Sequence, residues 1–451
     1  MALRILPILL CFLFPLLGTS QNQEQLDLTN TLLGHWEGAF IKGNSYQKLQ
    51  MEVFLEDNKP VVRQLMEEWF PNYGDLELSV EVDSAGIIRM PSGYGPITLQ
   101  LDPDALELIG QVVDSAPAVY VHLKKKPVPP PMPYTVEAIT IPNGKVQLAG
   151  HLHLPTFPQT ETAIILVGGR GCYAASTEYD LYARFFRSYG VTTLVYQKRG
   201  NGNSTGDCAT ATIDDLASDL RAAYQFLKQH PQNFKKIGVL GSSAGGWVAL
   251  KAQEAGAFDF TISVVGPSTN VFDQQMQSAR EGAKIFDLSP QALEELEAYT
   301  KLVFEGPSNR KTLKAMEQML AKAEANKWLS LLEDTDIAKK VKEIDELWVR
   351  RHDFDPTTVL SLYDKPFLGL YGEKDWIVPA PENIAALEKA FDGDRRFLLH
   401  TFILPEADHG METTAEYRVL ESEASYWHFY RASPQLLIRI VEFMEAFALL
   451  E

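Results

Sequence analysis

One hexapeptide constrains this chain more than any other stretch. Gly241-Ser242-Ser243-Ala244-Gly245-Gly246 follows the apolar run Ile237-Gly238-Val239-Leu240 and precedes Trp247-Val248-Ala249-Leu250. The pattern predicts a strand, a very tight turn and a helix, with Ser243 at the apex. A turn that sharp leaves no room for side chains two positions before or after the apex, and glycine stands at both, Gly241 and Gly245. A hydroxyl exposed and aimed in this way is a candidate nucleophile once a base backs it. The bland alternative is a Gly/Ser-rich connection between a strand and a helix.

At 451 residues the chain is too long for one hydrophobic core, so two or three domains are expected. A net charge of −18 argues against nucleic acid, which needs a basic face, and equally reflects simple solubility. Residues 1–20 are a different material: Arg4 precedes an apolar run from Ile5 to Leu17, and Gly18-Thr19-Ser20 supplies small residues. This reads as a signal peptide, too short and too proline-broken for a good membrane span. The mature protein is expected to be exported, periplasmic or secreted, with no stable membrane insertion. Cys172 and Cys208 then remain, and two cysteines in an exported chain invite one disulfide, the alternative being two buried thiols. No Cys-x-x-Cys or His-x-x-x-His pair occurs, so no metal or other cofactor is expected.

Residues 25–123 alternate apolar and polar positions in short runs, such as 49–55, 76–82, 97–101 and 119–123, separated by turn material. They predict a β-rich accessory domain, an antiparallel sandwich or barrel. Residues 124–133, a lysine run followed by five prolines in Pro127–Pro133, read as a stiff linker. From 134 to 451 the pattern changes. An Asn143-Gly144 hairpin leads into apolar runs at 163–167, 191–196, 236–240, 258–265, 366–371 and 397–404, with helical periodicity between several of them. Alternating buried strands and helices predict a mostly parallel, doubly wound α/β sheet. Between 267 and 362 the strands stop and helical spacing takes over. In that position a helical cap over the site competes with a lateral helical layer. The Lys124-Lys125-Lys126 run reads as a solvated boundary.

A serine nucleophile needs an imidazole to take its proton and a carboxylate to hold that imidazole. Both are expected in loops after later strands, in the order Ser, acid, His. Gly372-Glu373-Lys374-Asp375 and Pro405-Glu406-Ala407-Asp408-His409-Gly410 follow such strands. Asp375 and His409 are therefore the expected partners of Ser243. Glu373 and Asp408 compete for the acid, and His400 and His428 for the base. His400 reads as a strand histidine and His428 as one of an aromatic cluster at 426–430. The oxyanion donors are expected to be the backbone N–H groups of Ala244 and of Arg170, with Gly171 as a rival to Arg170. The Arg170 side chain reads as solvent-facing, with an anionic substrate group as the sharper option.

These motifs, together with Gly168-Gly169-Arg170-Gly171 and Tyr196-Gln197-Lys198-Arg199-Gly200-Asn201-Gly202-Asn203-Ser204-Thr205-Gly206, resemble the α/β-hydrolase superfamily. The resemblance is to its serine aminopeptidase-like and acyl-esterase branch. One departure is Ser242, where many relatives carry His or Tyr before the nucleophile. The resemblance implies a structural role for Arg199. It also implies that the strands ending at Val167 and Tyr196 lie side by side, which would bring Cys172 and Cys208 into neighbouring loops and favour the disulfide. In the β-rich region, Leu33-Gly34-His35-Trp36-Glu37-Gly38 resembles the Gly-x-Trp start of small lipocalin-like barrels, beside the plainer reading of Trp36 as a core residue.

The expectation for function is a serine hydrolase that cleaves a small-molecule carboxylic ester through an acyl-enzyme. The alternatives are a peptidase acting on short peptides and a non-catalytic binding protein on a hydrolase scaffold. The apolar helical positions Leu313, Met316, Leu320 and Trp328 lean toward acyl chains.

Overall fold

The computed structural model describes residues 29–42, 45–65, 76–83, 86–92, 95–116, 118–127, 134–156, 159–173, 177–178, 180–412 and 433–451. The segment 1–20, most of the proline run and His428 lie outside these residues. The chain divides into two units, one made chiefly of residues before 131 and one of residues 132–417 and 430–451.

The first unit is one antiparallel sheet. Its strands are β1 (Gly34–Lys42), β2 (Ser45–Glu56), β3 (Lys59–Leu65), β4 (Leu76–Ser79), β5 (Glu81–Val82), β6 (Ile87–Met90), β7 (Ile97–Asp102), β8 (Glu107–Val112) and β9 (Tyr120–Lys126). They are ordered β4-β3-β2-β1-β9-β8-β7-β6-β5. The two ends of that order, β4 and β5, are consecutive in the chain with only Val80 between them, so the sheet runs round on itself and closes as a barrel. Such closure shortens the edge that an open sheet would offer to another chain. The sequence reads Leu76–Val82 as a single strand. It is split because its first half pairs with β3 and its second half with β6.

Most inward positions of this barrel are apolar and fully buried, Trp36, Phe40, Leu49, Ile88, Ile97 and Val121 among them, with the polar Gln64 buried beside them. The Trp36 indole N–H donates to the Leu32 carbonyl at 2.8 Å. Lys124–Lys126 are not linker: they are the end of β9. Lys125 donates to the Thr31 carbonyl at 2.5 Å and lies 5.6 Å from the centre of the Trp36 ring. The alternation of β9 continues through the lysines, and their long stems satisfy it.

The second unit is an eight-stranded sheet ordered β10-β11-β13-β12-β14-β15-β16-β17. These are β10 (Tyr134–Asn143), β11 (Val146–Pro155), β12 (Thr162–Val167), β13 (Thr192–Tyr196), β14 (Lys236–Ser242), β15 (Phe260–Val264), β16 (Phe367–Gly372) and β17 (Leu399–Leu404). β10 and β11 form an antiparallel hairpin, β11 pairs antiparallel with β13, and the rest run parallel. Every residue of β12 is buried, as a strand covered on both faces requires. Between the strands run α1 (Leu181–Ser188), α2 (Ile213–Lys228) and α3 (Ala244–Gln253). Helix α2 starts with a capping box between Thr212 and Asp215 and buries Ile213, Ala217, Leu220, Ala223 and Leu227 along one stripe.

From β12 the chain goes first to β13 on one side and then to β14 on the other. Such a reversal of strand order opens a crevice at the carboxyl ends of the strands, where ligands bind in open α/β sheets. The loops after β12, β14, β16 and β17 all belong to that end.

After β15 the expected helical stretch appears as α4 (Val271–Ile285), α5 (Pro290–Glu305), α6 (Arg310–Ala323), α7 (Trp348–Arg351) and α8 (Thr357–Leu362). Met316 and Trp328 are fully buried, and Leu313 and Leu320 pack on the same core. These four residues hold the helices together and do not line the cleft, which corrects the expectation that they face an acyl chain. Among the described residues no helix is long and apolar enough to cross a membrane.

Candidate active site

Ser243 stands between β14 and α3 with φ +51° and ψ −128°, a backbone state that costs a side-chain-bearing residue free energy. The elbow is held by close packing. A Cβ on Gly241 would meet the Gly245 carbonyl oxygen at 2.5 Å, and one on Gly245 would meet the Val167 carbonyl oxygen at 2.4 Å. Gly246, whose need the sequence does not announce, faces Gly266, where an added Cβ would come within 2.8 Å of Cα. A serine at a helix start ordinarily turns its hydroxyl onto the helix's own amides. Ser243 makes no such bond. Its Oγ lies 3.0 Å from Nε2 of His409.

His409 follows β17, and its Nδ1 lies 2.9 Å from Oδ2 of Asp375, in the loop after β16. A carboxylate only accepts hydrogen bonds, so Nδ1 donates and Nε2 faces the serine as the acceptor. The Asp375 side chain is fully buried and that of His409 a quarter exposed. The other oxygen of Asp375 accepts from the amides of Ile377 and Val378, both at 2.9 Å.

The rivals have other work. Glu373 accepts from the Glu406 amide at 2.8 Å, bracing the histidine loop. Asp408 accepts from Gly410 and Glu412 amides at 2.8 and 3.0 Å, closing the turn that carries His409. His400 lies on β17 against Phe443 and Phe447.

Ala244 is the first residue of α3, so its amide is free of the helix ladder and shares the positive end of the helix dipole. Gly169 brings the loop after β12 against Ser243: a Cβ there would sit 2.9 Å from Ser243 Cβ and 3.5 Å from its Oγ. The Arg170 amide follows directly.

The Arg170 side chain is not solvent-facing. Its guanidinium donates to Thr335 and, at 2.8 Å, to Asp336, and lies 4.4 Å above the Trp348 ring. Charge pairing and stacking together draw it onto the segment between α6 and α7. Cys172 and Cys208 are disulfide-bonded, with Cα atoms 5.8 Å apart, so the loop after β12 is tied to the loop after β13. Arg199 forks onto Asp219 at 2.7 and 2.9 Å and reaches Asp215 at 2.6 Å, fastening that second loop to α2.

A cleft of about 520 Å³ opens over Ser243 and His409. Its apolar wall includes Leu331, Leu332, Trp376, Ile377 and Val378, and its polar wall Arg170, Lys198, Glu333 and Asp336. Trp376 follows Asp375 directly, and that adjacency is the one sequence signal for it. Lys198 sits inside the motif after β13 with no sequence signal for its role. Among the described residues no group of three or more His, Cys, Asp or Glu side chains is placed to hold a metal ion.

No match is found among curated proteins. Solved structures with a similar course include an esterase of Pyrococcus furiosus (16% identity, 71% of this chain and 96% of that one, TM-score 0.42). Others are Est1E of Butyrivibrio proteoclasticus, solved with ferulic acid bound (17%, 69% and 100%, 0.42), and a proline iminopeptidase-related protein of Thermus thermophilus (16%, 70% and 100%, 0.42). The family model described as serine aminopeptidase, S33, matches residues 158–401, more than half of the chain, a stretch that holds Ser243 and Asp375 and ends ahead of His409. The chain belongs to this serine aminopeptidase (S33) family of α/β-hydrolases, and it is a hydrolase by that membership.

Proposed function

We propose that this chain is an exported serine hydrolase that cleaves carboxylic esters through an acyl-enzyme. The carrying observation is the continuous hydrogen-bonded chain from Asp375 through His409 to Ser243, with spacings of 2.9 and 3.0 Å. His409 takes the Ser243 proton as Oγ attacks the carbonyl carbon. Asp375 holds the imidazole in the required tautomer and stabilises the imidazolium. The Ala244 and Arg170 amides receive the oxyanion. His409 then protonates the leaving alkoxide, and water, deprotonated by His409 in turn, releases the acid and restores Ser243.

The apolar wall at Leu331, Trp376 and Ile377 supports an acyl group as the bound portion. The Cys172–Cys208 disulfide suits an oxidising compartment, and a mature amino terminus just after Ser20 would match export.

A fluorophosphonate probe tests the site, and a panel of p-nitrophenyl esters against aminoacyl arylamides tests the substrate. The expected result is an adduct on Ser243 and turnover of esters. Folded protein that takes no adduct would instead be the non-catalytic binding protein. A specific observation keeps the peptidase reading in the panel. Glu333 lines the cleft with a side chain 65% exposed and only a long 3.9 Å pairing with Arg170, accessible to a peptide's ammonium, whereas Asp336 is held by Arg170 at 2.8 Å.

A further inference from the structure

The loop after β12 holds a second charged group that the reaction steps above leave unused. Lys198, two residues past the end of β13, donates from Nζ to the Gly169 carbonyl and, at 3.1 Å, to the Gly171 carbonyl. These two carbonyls bracket Arg170. Among the described residues no carboxylate lies within ion-pair distance of this ammonium, so its partners are backbone dipoles and the Tyr173 ring, 5.6 Å from Nζ. A half-buried ammonium without a counter-charge is costly, and carbonyl oxygens offset only part of that cost.

The bond to Gly169 has a consequence for Arg170. The Gly169 carbonyl and the Arg170 N–H belong to one peptide group, and in a trans peptide they point to opposite sides. Holding the carbonyl on the ammonium therefore fixes the direction of the N–H. It also withdraws electrons from that amide, and a polarised donor binds an anion more strongly. The neighbouring Gly169 backbone is already pressed against Ser243, as the 2.9 Å clash of an added Cβ records.

Resting on the oxyanion reading above, we infer that Lys198 is a positioning residue that orients and polarises the Gly169–Arg170 peptide for the transition state. It lines the cleft, but its hydrogen bonds go to the two loop carbonyls and not to Ser243 or His409. It acts through the amide, so its effect grows with the charge on the oxyanion and is small for neutral bound substrate.

Burial lowers the Lys198 ammonium to about 8. The charged and titratable groups around it are Tyr173 and His352, with Arg170, Asp180, Tyr182, Tyr196, Glu333, Asp336 and His409 on the same cleft, the two further tyrosines being raised by burial. Burial raises Tyr173 and lowers His352 to about 4, and it raises Asp180 to about 7. Tyr173 and His352 therefore titrate away from the region just above 8, and Asp180 gains its negative charge below it, so the positive charge lost there is the lysine's.

The test compares wild type, Lys198→Met and Lys198→Arg in ester hydrolysis from pH 6 to 10, with thermal melts for folding and fluorophosphonate labelling of Ser243. Lys198→Met is expected to lower kcat about 10- to 100-fold, less than full removal of an oxyanion donor, with KM nearly unchanged. Its alkaline decline near pH 8 should vanish. Lys198→Arg, which stays charged, should recover activity and hold it to pH 10. Folded Lys198→Met with wild-type kcat, a loss confined to KM, or an unaltered alkaline limb in both variants overturns the assignment. If Lys198→Met does not fold, Lys198→Arg decides by the position of its limb. Wild type left unlabelled at Ser243 overturns the site reading and this inference together; labelled wild type with indifferent variants overturns this inference alone.

Discussion

Asp375→Asn is the sharpest perturbation of the site, because the structure dictates how the new side chain must sit. Oδ1 of Asp375 receives two backbone N–H groups, from Ile377 and Val378 at 2.9 Å each. In asparagine only the carbonyl oxygen can take that place, since an NH2 group there would face donor against donor. The NH2 is then presented to His409 Nδ1. That nitrogen must accept, so the ring proton moves to Nε2, the atom 3.0 Å from Ser243 Oγ. The imidazole now offers a donor where the serine needs a base. The loss expected for this wrong tautomer is about 10⁴-fold in kcat, or about 5.5 kcal/mol at roughly 1.4 kcal/mol per decade.

The same argument limits the change in stability. Both backbone bonds survive, the volume is unchanged, and only the charge-assisted bond to His409 weakens. The melting temperature should therefore move little while activity collapses. Ester hydrolysis with thermal melts on the same samples reads both quantities. Glu373→Gln is the control: its acceptor for the Glu406 amide is retained, so activity should stay within about threefold, the range of substitutions that break no named interaction. An Asp375→Asn variant that folds normally and keeps a tenth of its kcat would refute the reasoning, and so would a Glu373→Gln variant that loses more.

Three further outcomes are expected. Gly169→Ala places a methyl 2.9 Å from Ser243 Cβ and 3.2 Å from the Ser242 carbonyl; by pushing the loop off the nucleophile it should cost about 10²–10³-fold in kcat, read together with the phosphonylation rate of Ser243. Replacing Cys172 and Cys208 by alanine removes a link between residues 36 apart in the sequence; chain entropy sets the loss of stability at about 4 kcal/mol, measured by denaturant unfolding. Burial holds Asp180 at about 7, above its unfolded value, so its contribution to stability is fully present in acid and is lost as pH rises through 7. Asp180→Asn keeps the bond to the Ala183 amide and should be more stable than wild type by a few kcal/mol at pH 8, a difference that shrinks toward pH 5 in paired melts.

What the sequence reveals of this site is what a few adjacent residues determine. The elbow is legible because Gly241, Ser243 and Gly245 solve a steric problem within five positions. Asp375 and His409 are legible because each follows the end of an apolar strand. Contacts made across the chain are not legible. Arg170 looks solvent-facing until the fold brings Asp336 and Trp348 to it. Helical spacing marks Leu313, Met316, Leu320 and Trp328 as buried, yet periodicity does not say whether the covering surface is a neighbouring helix or a substrate cleft. The split of residues 76–82 into β4 and β5 depends on where β3 and β6 lie, a property of the closed barrel and not of the seven residues.

Arg170 carries the consequence of that distinction furthest. Its guanidinium is bound by the segment before α7, through Asp336, and by Trp348 at the start of that helix, while its amide belongs to the peptide fixed by Lys198 and pressed against the elbow by Gly169. One residue thus joins the helical insertion to the loop expected to receive the oxyanion. A change in the helical segment that shifts Asp336 acts on the amide through two covalently connected groups, without touching Ser243. Substitutions at Asp336 should therefore change kcat more than KM, as changes in transition-state stabilisation do, whereas substitutions at Leu331 or Trp376, which line the apolar wall and make no contact with the Arg170 loop that the structure records, should fall mainly on KM.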